Sequence, residues 1–177
     1  KSPKSYWIHA HIGLAKYFDF KNGDKFAFVK KFNDLIIDKE HKPFVGVLNH
    51  HLGVFYEKSN EIEKAKESYN KSLKFKTEDT YLTASNHRNL AEISFNEAKY
   101  AVAGKYYDST LVNLKPKTRE YRSIEKKKLN LADVIKYESI AQKNDSILHV
   151  VAMSPEQRQE YYQKHIEKLK KEDAEKE

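Results

Sequence analysis

The sequence contains no cysteine in 177 residues, and only four prolines, five glycines, one methionine and one tryptophan. Without Cys there is no disulfide framework, no thiolate zinc site and no cysteine nucleophile. The redox compartment stays open, because a chain without thiols tolerates either environment. Long apolar runs are missing too. The longest, such as Leu35–Ile37 and Val150–Met153, are a few residues long, far short of the ~20 that cross a bilayer. With no initiating Met and no signal peptide, the chain is expected to be a piece of a longer protein whose anchors and neighbouring domains lie elsewhere. A one-sign charge patch is also lacking. The net charge is +7, but residues 1–79 carry 15 basic and 11 acidic side chains, residues 80–116 carry 4 and 3, and residues 117–177 carry 14 and 12. The densest cluster, Lys126–Lys128, reads as a solvated helix face. So thin and interleaved an excess argues against a nucleic-acid partner. Hydrophobic residues make up 39 % of the chain, enough to bury a core and to exclude wholesale disorder.

What is present is a repeat of 38 residues. Leu14-Ala15, Leu52-Gly53 and Leu90-Ala91 fall in register, followed by Ala27, Ala65 and Ala103 and by Leu35, Leu73 and Leu111. Phe18 matches Tyr56, with Ser94 third; Tyr69 matches Tyr107, with Lys31 and the adjacent Phe32 in the first copy. Each copy divides into two helical stretches. In the second, Leu48, Leu52, Phe55 and Tyr56 share a helix face, and Ile62, Ala65, Tyr69 and Leu73 share the next. Ser59-Asn60-Glu61 and Asn22-Gly23-Asp24 supply turns between stretches. Pro43 and Pro116 fall in connections, where proline stops a helix without breaking one. The small residues at 15, 53 and 91 are expected to meet Ala27, Ala65 and Ala103 where the paired helices cross.

Small-small contact, aromatic wedge and helix-turn-helix period together resemble the tetratricopeptide repeat, W-x2-L-G-x2-Y followed by further small and aromatic positions. Leu52, Gly53, Tyr56, Ala65 and Tyr69 match that pattern, with Ser72 where a later Ala is usual. The resemblance implies an all-α, tetratricopeptide-like solenoid of three helical hairpins over residues 1–116. Beyond Pro116 the sequence period stops. Leu131, Val134, Ile135, Ile140, Ala141, Ile147, Leu148, Val151 and Ala152 predict a long helix from about Arg119 to about Ala152, capping the last hairpin within residues 117–153. Over residues 154–177 a further helix begins at Ser154-Pro155-Glu156-Gln157, an N-cap, a first-turn proline and a capping box. It carries Tyr161, Tyr162, His165, Ile166 and Leu169 on one stripe and ends in the charged run 170–177, expected to fray.

The phrases Tyr106-Tyr107-Asp108-Ser109-Thr110-Leu111, Asn144-Asp145-Ser146-Ile147-Leu148 and Met153-Ser154-Pro155-Glu156 resemble the repeat region of the SprE/PorW lipoproteins. These belong to the type IX secretion and gliding-motility machinery of Bacteroidota. The resemblance covers roughly residues 80–172. It implies a periplasmic location, an outer-membrane lipid anchor outside this sequence, and an adaptor role among other protein subunits of a secretion complex.

Eight histidines raise the question of a metal. His50 and His51 are adjacent and point about 100° apart on a helix, His9 and His11 do not share a face, and no H-E-x-x-H is present. No metal and no cofactor is expected. There is no glycine-rich phosphate loop and no nucleophile elbow, so no catalysis is expected either. Binding is the expected work. By register the concave face of such an array should carry His9, Ile12, Lys16 and Asp19, then Val47, His50, Val54 and Glu57, then Ser85, Arg88, Glu92 and Phe95. Ile12, His50, Val54 and Glu92 stand where the carboxylate clamp of chaperone-binding arrays needs donors. An extended or helical protein segment with apolar character fits better. Self-association through the tail is the other interaction that the Tyr161–Leu169 stripe suggests. The alternative reading is a peptide-recognising repeat module of a larger signalling or regulatory protein.

Overall fold

The computed structural model describes residues 4–174, and these are all-helical, without a strand. In chain order the helices are α1 (Lys4–Lys16), α2 (Lys25–Ile37), a 3-10 helix (Lys39–Phe44), α3 (Val45–Lys58), α4 (Ile62–Leu73), α5 (Thr80–Asn96), α6 (Tyr100–Asn113), α7 (Arg119–Ala152) and α8 (Pro155–Ala174). The chain forms two compact units, one ending at Ala132 and the other beginning at Asp133 inside α7.

Side-chain caps set the starts of α2, α5 and α7. Asp24 accepts the Ala27 N–H at 2.9 Å, Asp79 accepts the Leu82 N–H at 3.0 Å, and Thr118 Oγ1 accepts the Tyr121 N–H at 3.2 Å. Each satisfies one of the donors that a helix start leaves without an intrahelical partner. The α3–α4 and α5–α6 turns are copies of each other. Asn60 and Ala98, 38 residues apart, take the left-handed conformation at φ 62° and 57°. The Glu61 N–H reaches Tyr56 O at 2.8 Å and the Lys99 N–H reaches Ser94 O at 2.9 Å. With the bonds from the Asn60 N–H to Glu57 O and from the Ala98 N–H to Phe95 O, both 3.0 Å and spanning three residues, both are Schellman endings.

Within each of these pairs the two helices lie close along their length. Gly53 shows why small residues matter there. A Cβ on it would come 2.6 Å from the Tyr69 ring, and Ala65, Ala91 and Ala103 are wholly buried, Ala65 in one core with Tyr69. The first helices also touch in sequence, α1 on α3 and α3 on α5. One core joins Ile8, Ile12, Phe32, Leu35, Leu48 and Leu52, and another joins Ala65, Tyr69, Leu90 and Ile93.

The first copy departs from the expectation. Ala27 is exposed and does not meet Ala15 in a close crossing; Leu14 is 67 % accessible where Leu52 and Leu90 are 4 % and 2 %. Helix α2 turns a different face inward, Phe28, Phe32 and Leu35, and packs on α3. Phe28 stacks on Phe55 at 4.2 Å between centroids and on Phe32 at 4.6 Å. The cause is Lys31 at the wedge position: burying an ammonium without a partner is expensive, whereas rotating the helix by one residue offers Phe32 instead. That rotation sets bulky Phe28 where α4 has Ala65, and α1 cannot close on it.

The first part of α7 continues the burial pattern of the copies. Ile124 and Leu131 are buried 38 residues after Asn86 and Ile93, and those follow Leu48 and Phe55 by the same interval. Ion pairs from Glu120 to Arg88, Lys127 to Glu92 and Lys128 to Asp108 tie this part to α5 and α6.

In the second unit, the end of α7 and the start of α8 meet at a capped corner. Ser154 Oγ accepts the Gln157 N–H at 3.3 Å and Gln157 Oε1 accepts the Ser154 N–H at 3.0 Å, the reciprocal pair of a capping box. The Arg158 guanidinium donates to the carbonyls of Val150, Val151 and Met153, each at 3.2 Å, neutralising the free C-terminal acceptors of α7. The charged run expected to fray from residue 170 is helical to Ala174; residues 175–177, like residues 1–3, lie outside the described part. No helix is long and apolar enough to cross a membrane among the described residues.

Candidate partner-binding face

The residues expected on one concave face divide into four groups. Ile12 and Ser85 are buried, at 6 % and 5 % accessibility, and Ile12 belongs to the first core. Asp19 is not on α1 but in the connection after it. Its carboxylate accepts the Lys21 N–H at 2.8 Å, the Asn22 amide side chain at 3.0 Å and the Asn22 N–H at 3.2 Å, and these bonds hold its carboxyl below the usual range. The fold's own tyrosines and α7 engage a third group. Glu57 accepts the Tyr69 hydroxyl at 2.6 Å, Glu92 accepts Tyr107 at 3.1 Å and pairs with Lys127, and Arg88 pairs with Glu120. Burial first, and the adjacent carboxylate second, push both tyrosine hydroxyls upward in pKa.

The remaining six residues retain some accessible surface. His9 is exposed, its ring edge-on to Phe44 at 6.2 Å. Phe95 is exposed beside Tyr100, ring centroids 5.6 Å apart. Val47 and Val54 are half-buried against the two cores. Lys16 is exposed at the end of α1.

His50 is tied into a polar chain that links α3, α4 and α5. Ser72 Oγ donates to Gly46 O at 2.7 Å and accepts from Asn86 Nδ2 at 2.8 Å, which turns Asn86 Oδ1 toward His50 Nδ1, 2.8 Å away. That order of donors assigns the His50 proton to Nδ1 and leaves Nε2 as an acceptor. Burial lowers the His50 pKa against the opposing hydrogen bond that Nδ1 donates to Asn86 Oδ1. Burial also takes His51 down to about 4, helped by His50 and Lys16.

These elements enclose a pocket of about 200 Å³ between α1 and α3. Ala15, Val54 and Phe55 are its apolar floor, Lys16 and Lys58 bracket it, and the neutral His51 ring closes one side. No carboxylate lines it among the described residues. The Lys58 ammonium lies 5.7 Å from the Phe20 ring centroid at its edge. A larger cleft of about 500 Å³ opens between α2 and α4, lined by Ile36, Tyr56 and Phe75 and by charges of both signs, Lys64, Glu67 and Lys71. It exists because α2 leans on α3 and leaves α4 uncovered.

Sequence register alone missed His51, Lys58 and Phe20 at the pocket, and the Ser72–Asn86–His50 chain. The last had a signal: Asn86 occupies the register of buried Leu48 and Ile124, and a polar residue at a core position must find partners. Among the described residues no group of three or more His, Asp or Glu side chains is placed to hold a metal ion. No protein-family model matches the chain, and no curated protein matches it.

Proposed function

We propose that the chain is a non-catalytic interaction scaffold, a tetratricopeptide-like solenoid that holds a segment of a partner protein on its first-helix face. The observation that supports this most is the pocket between α1 and α3: an apolar floor bracketed by Lys16 and Lys58, with no carboxylate in its lining. Such a site selects an apolar side chain with an acidic neighbour, in an extended or helical segment. The duplicated turns and wedges of α3–α4 and α5–α6 support the repeat reading. On the resemblance of Tyr106–Leu111, Asn144–Leu148 and Met153–Glu156, we place the parent protein as an adaptor in type IX secretion and gliding. It would be periplasmic and held at the outer membrane by a lipid anchor.

The test is affinity capture from an envelope extract of the source organism, with the wild-type chain beside a Lys16→Glu/Lys58→Glu variant. Both lysines are exposed, so circular dichroism should read equal helicity. A protein held by the wild type and released by the variant supports the pocket. Its being a subunit of the secretion machinery would support the adaptor role. Equal retention by both refutes this face and moves the site to the α2–α4 cleft or the second unit.

A further inference from the structure

Helices α4 and α6 bury the same register positions. Ala65 and Ala103, Tyr69 and Tyr107, and Ser72 and Thr110 are inaccessible alike, each pair 38 residues apart. At one position between them the side chains differ greatly in size: Ser68 stands where α6 has Tyr106. From α6, Tyr106 packs on the core of Ala65, Tyr69, Leu90 and Ile93, its ring centroid 6.0 Å from that of His87 on α5. Ser68 reaches nothing comparable; its Oγ donates to Lys64 O of its own helix at 2.8 Å. Beside it opens the cleft of about 500 Å³ between α2 and α4, which Ser68 lines together with Asn49, the counterpart of His87. One gap between successive second helices is thus filled by the chain's own tyrosine, and the other is left open.

The open cleft also carries an unmet hydrogen bond. Asn49 is only 3 % accessible, and its Nδ2 donates to Val45 O of its own helix at 2.8 Å. Its Oδ1 has no hydrogen-bond partner among the described residues. A buried acceptor without a donor is costly, so a ligand that brings an O–H is favoured over one that brings only hydrocarbon. Ile36, Leu52, Tyr56 and Phe75 give the cleft apolar and aromatic walls. The lysines in its lining are already paired, Lys64 with Glu61 at 2.6 Å and Lys71 with Glu67 at 2.7 Å, so charge there selects a neutral ligand. A neutral aromatic ring with one O–H is a phenol, the group that Tyr106 supplies in the next gap. We propose that the α2–α4 cleft binds a tyrosine side chain of a partner protein. Its ring takes the space that Ser68 leaves empty, and its hydroxyl donates to Asn49 Oδ1. The cleft has the volume of a small-ligand site rather than of one ring, so backbone flanking the tyrosine enters with it.

Titration of the full chain with N-acetyl-tyrosinamide, followed by amide NMR spectra, tests this. The expected result is saturable binding with Kd on the order of 1 mM, with the largest shifts at the Asn49 side-chain amide and the Ser68 backbone. N-acetyl-phenylalaninamide, which lacks the O–H, should bind about 3–10-fold more weakly. So should p-cresol bind more weakly, because it lacks the backbone. Asn49→Leu keeps the shape of the side chain and should erase the preference for tyrosine over phenylalanine, with helicity unchanged. Ser68→Tyr supplies the ring from α4 itself and should abolish binding. Absence of saturation by N-acetyl-tyrosinamide overturns the proposal. So does equal affinity for the tyrosine and phenylalanine amides, a preference that survives Asn49→Leu, binding that survives Ser68→Tyr, or p-cresol bound as tightly as the tyrosine amide. The cleft shares no residue with the α1–α3 pocket, so Lys16→Glu/Lys58→Glu should leave the titration unchanged, and either site can fail without the other.

Discussion

The α3–α4 and α5–α6 pairs and the α1–α2 pair share a period but not a packing. In the first two, a three-residue turn with one left-handed residue returns the chain tightly. Each buries a tyrosine, Tyr69 against Gly53 in one and Tyr107 in the other. In the third, eight residues (17–24) connect the helices, Asp19 organises the loop, and α2 leans on α3 with a phenylalanine cluster. One residue accounts for much of the difference. Where the other copies have tyrosine, this one has Lys31, which sits outside with its ammonium 5.0 Å from the Trp7 ring centroid. The two closed pairs keep small residues and a buried tyrosine, and the open pair has a lysine where the others have that tyrosine.

The sharpest break is at that wedge. Tyr69→Ala should destabilise the chain by about 3–5 kcal/mol, since a fully buried aromatic leaves both a cavity and an unpaired Glu57. Lys31→Ala, at the equivalent position, should stay within about 0.5 kcal/mol. Denaturant unfolding of the two variants measures the gap, and equal losses would mean that the first copy is closed as the others are.

Acid should find the same boundary. Burial takes the His51 pKa to about 4 in the folded chain from the ordinary 6.5, so below 6.5 the unfolded chain binds more protons than the folded one. Its contribution is present above pH 6.5 and is lost as pH falls toward 4, by an amount of about 3 kcal/mol. His51→Gln should flatten stability across that window. The matching position in α1 is Gly13, where a Cβ would have nothing within 4 Å, so Gly13→His should add no comparable slope.

The smallest effect concerns the turns. Ala98 holds φ 57° without being glycine, a conformation that disfavours a Cβ by about 1 kcal/mol. Ala98→Gly should therefore raise stability by roughly 0.5–1 kcal/mol, or a few degrees in Tm. Asn22→Gly, at the same register but in the long α1–α2 loop, should not. A gain at residue 22 equal to that at 98 would show that the three turns are equivalent.

Much of this was readable in advance. The span of α7 and the capping box at Ser154 rest on residues a few positions apart on one helix, and local periodicity carries such information; Gly53, set against Ala65 by register, would instead present a Cβ to the Tyr69 ring. The binding face was less legible. Arg88 and Glu92 looked free because their partners, Glu120 and Lys127, are 32 and 35 residues away. Glu57 looked like a groove charge, although the Tyr69 hydroxyl twelve residues on claims it.

The sequence by itself determined that the chain is helical, where α7 runs and where α8 begins, because caps, turns and periodicity act over one or two turns of helix. Only the tertiary structure decided which face of α2 goes inward. Ala27 and Phe28 are about 100° apart, and either face is a reasonable helix face until α3 offers Phe55 to stack on. It also decided which charges remain for a partner, because ion pairs between helices depend on distances that no local pattern encodes.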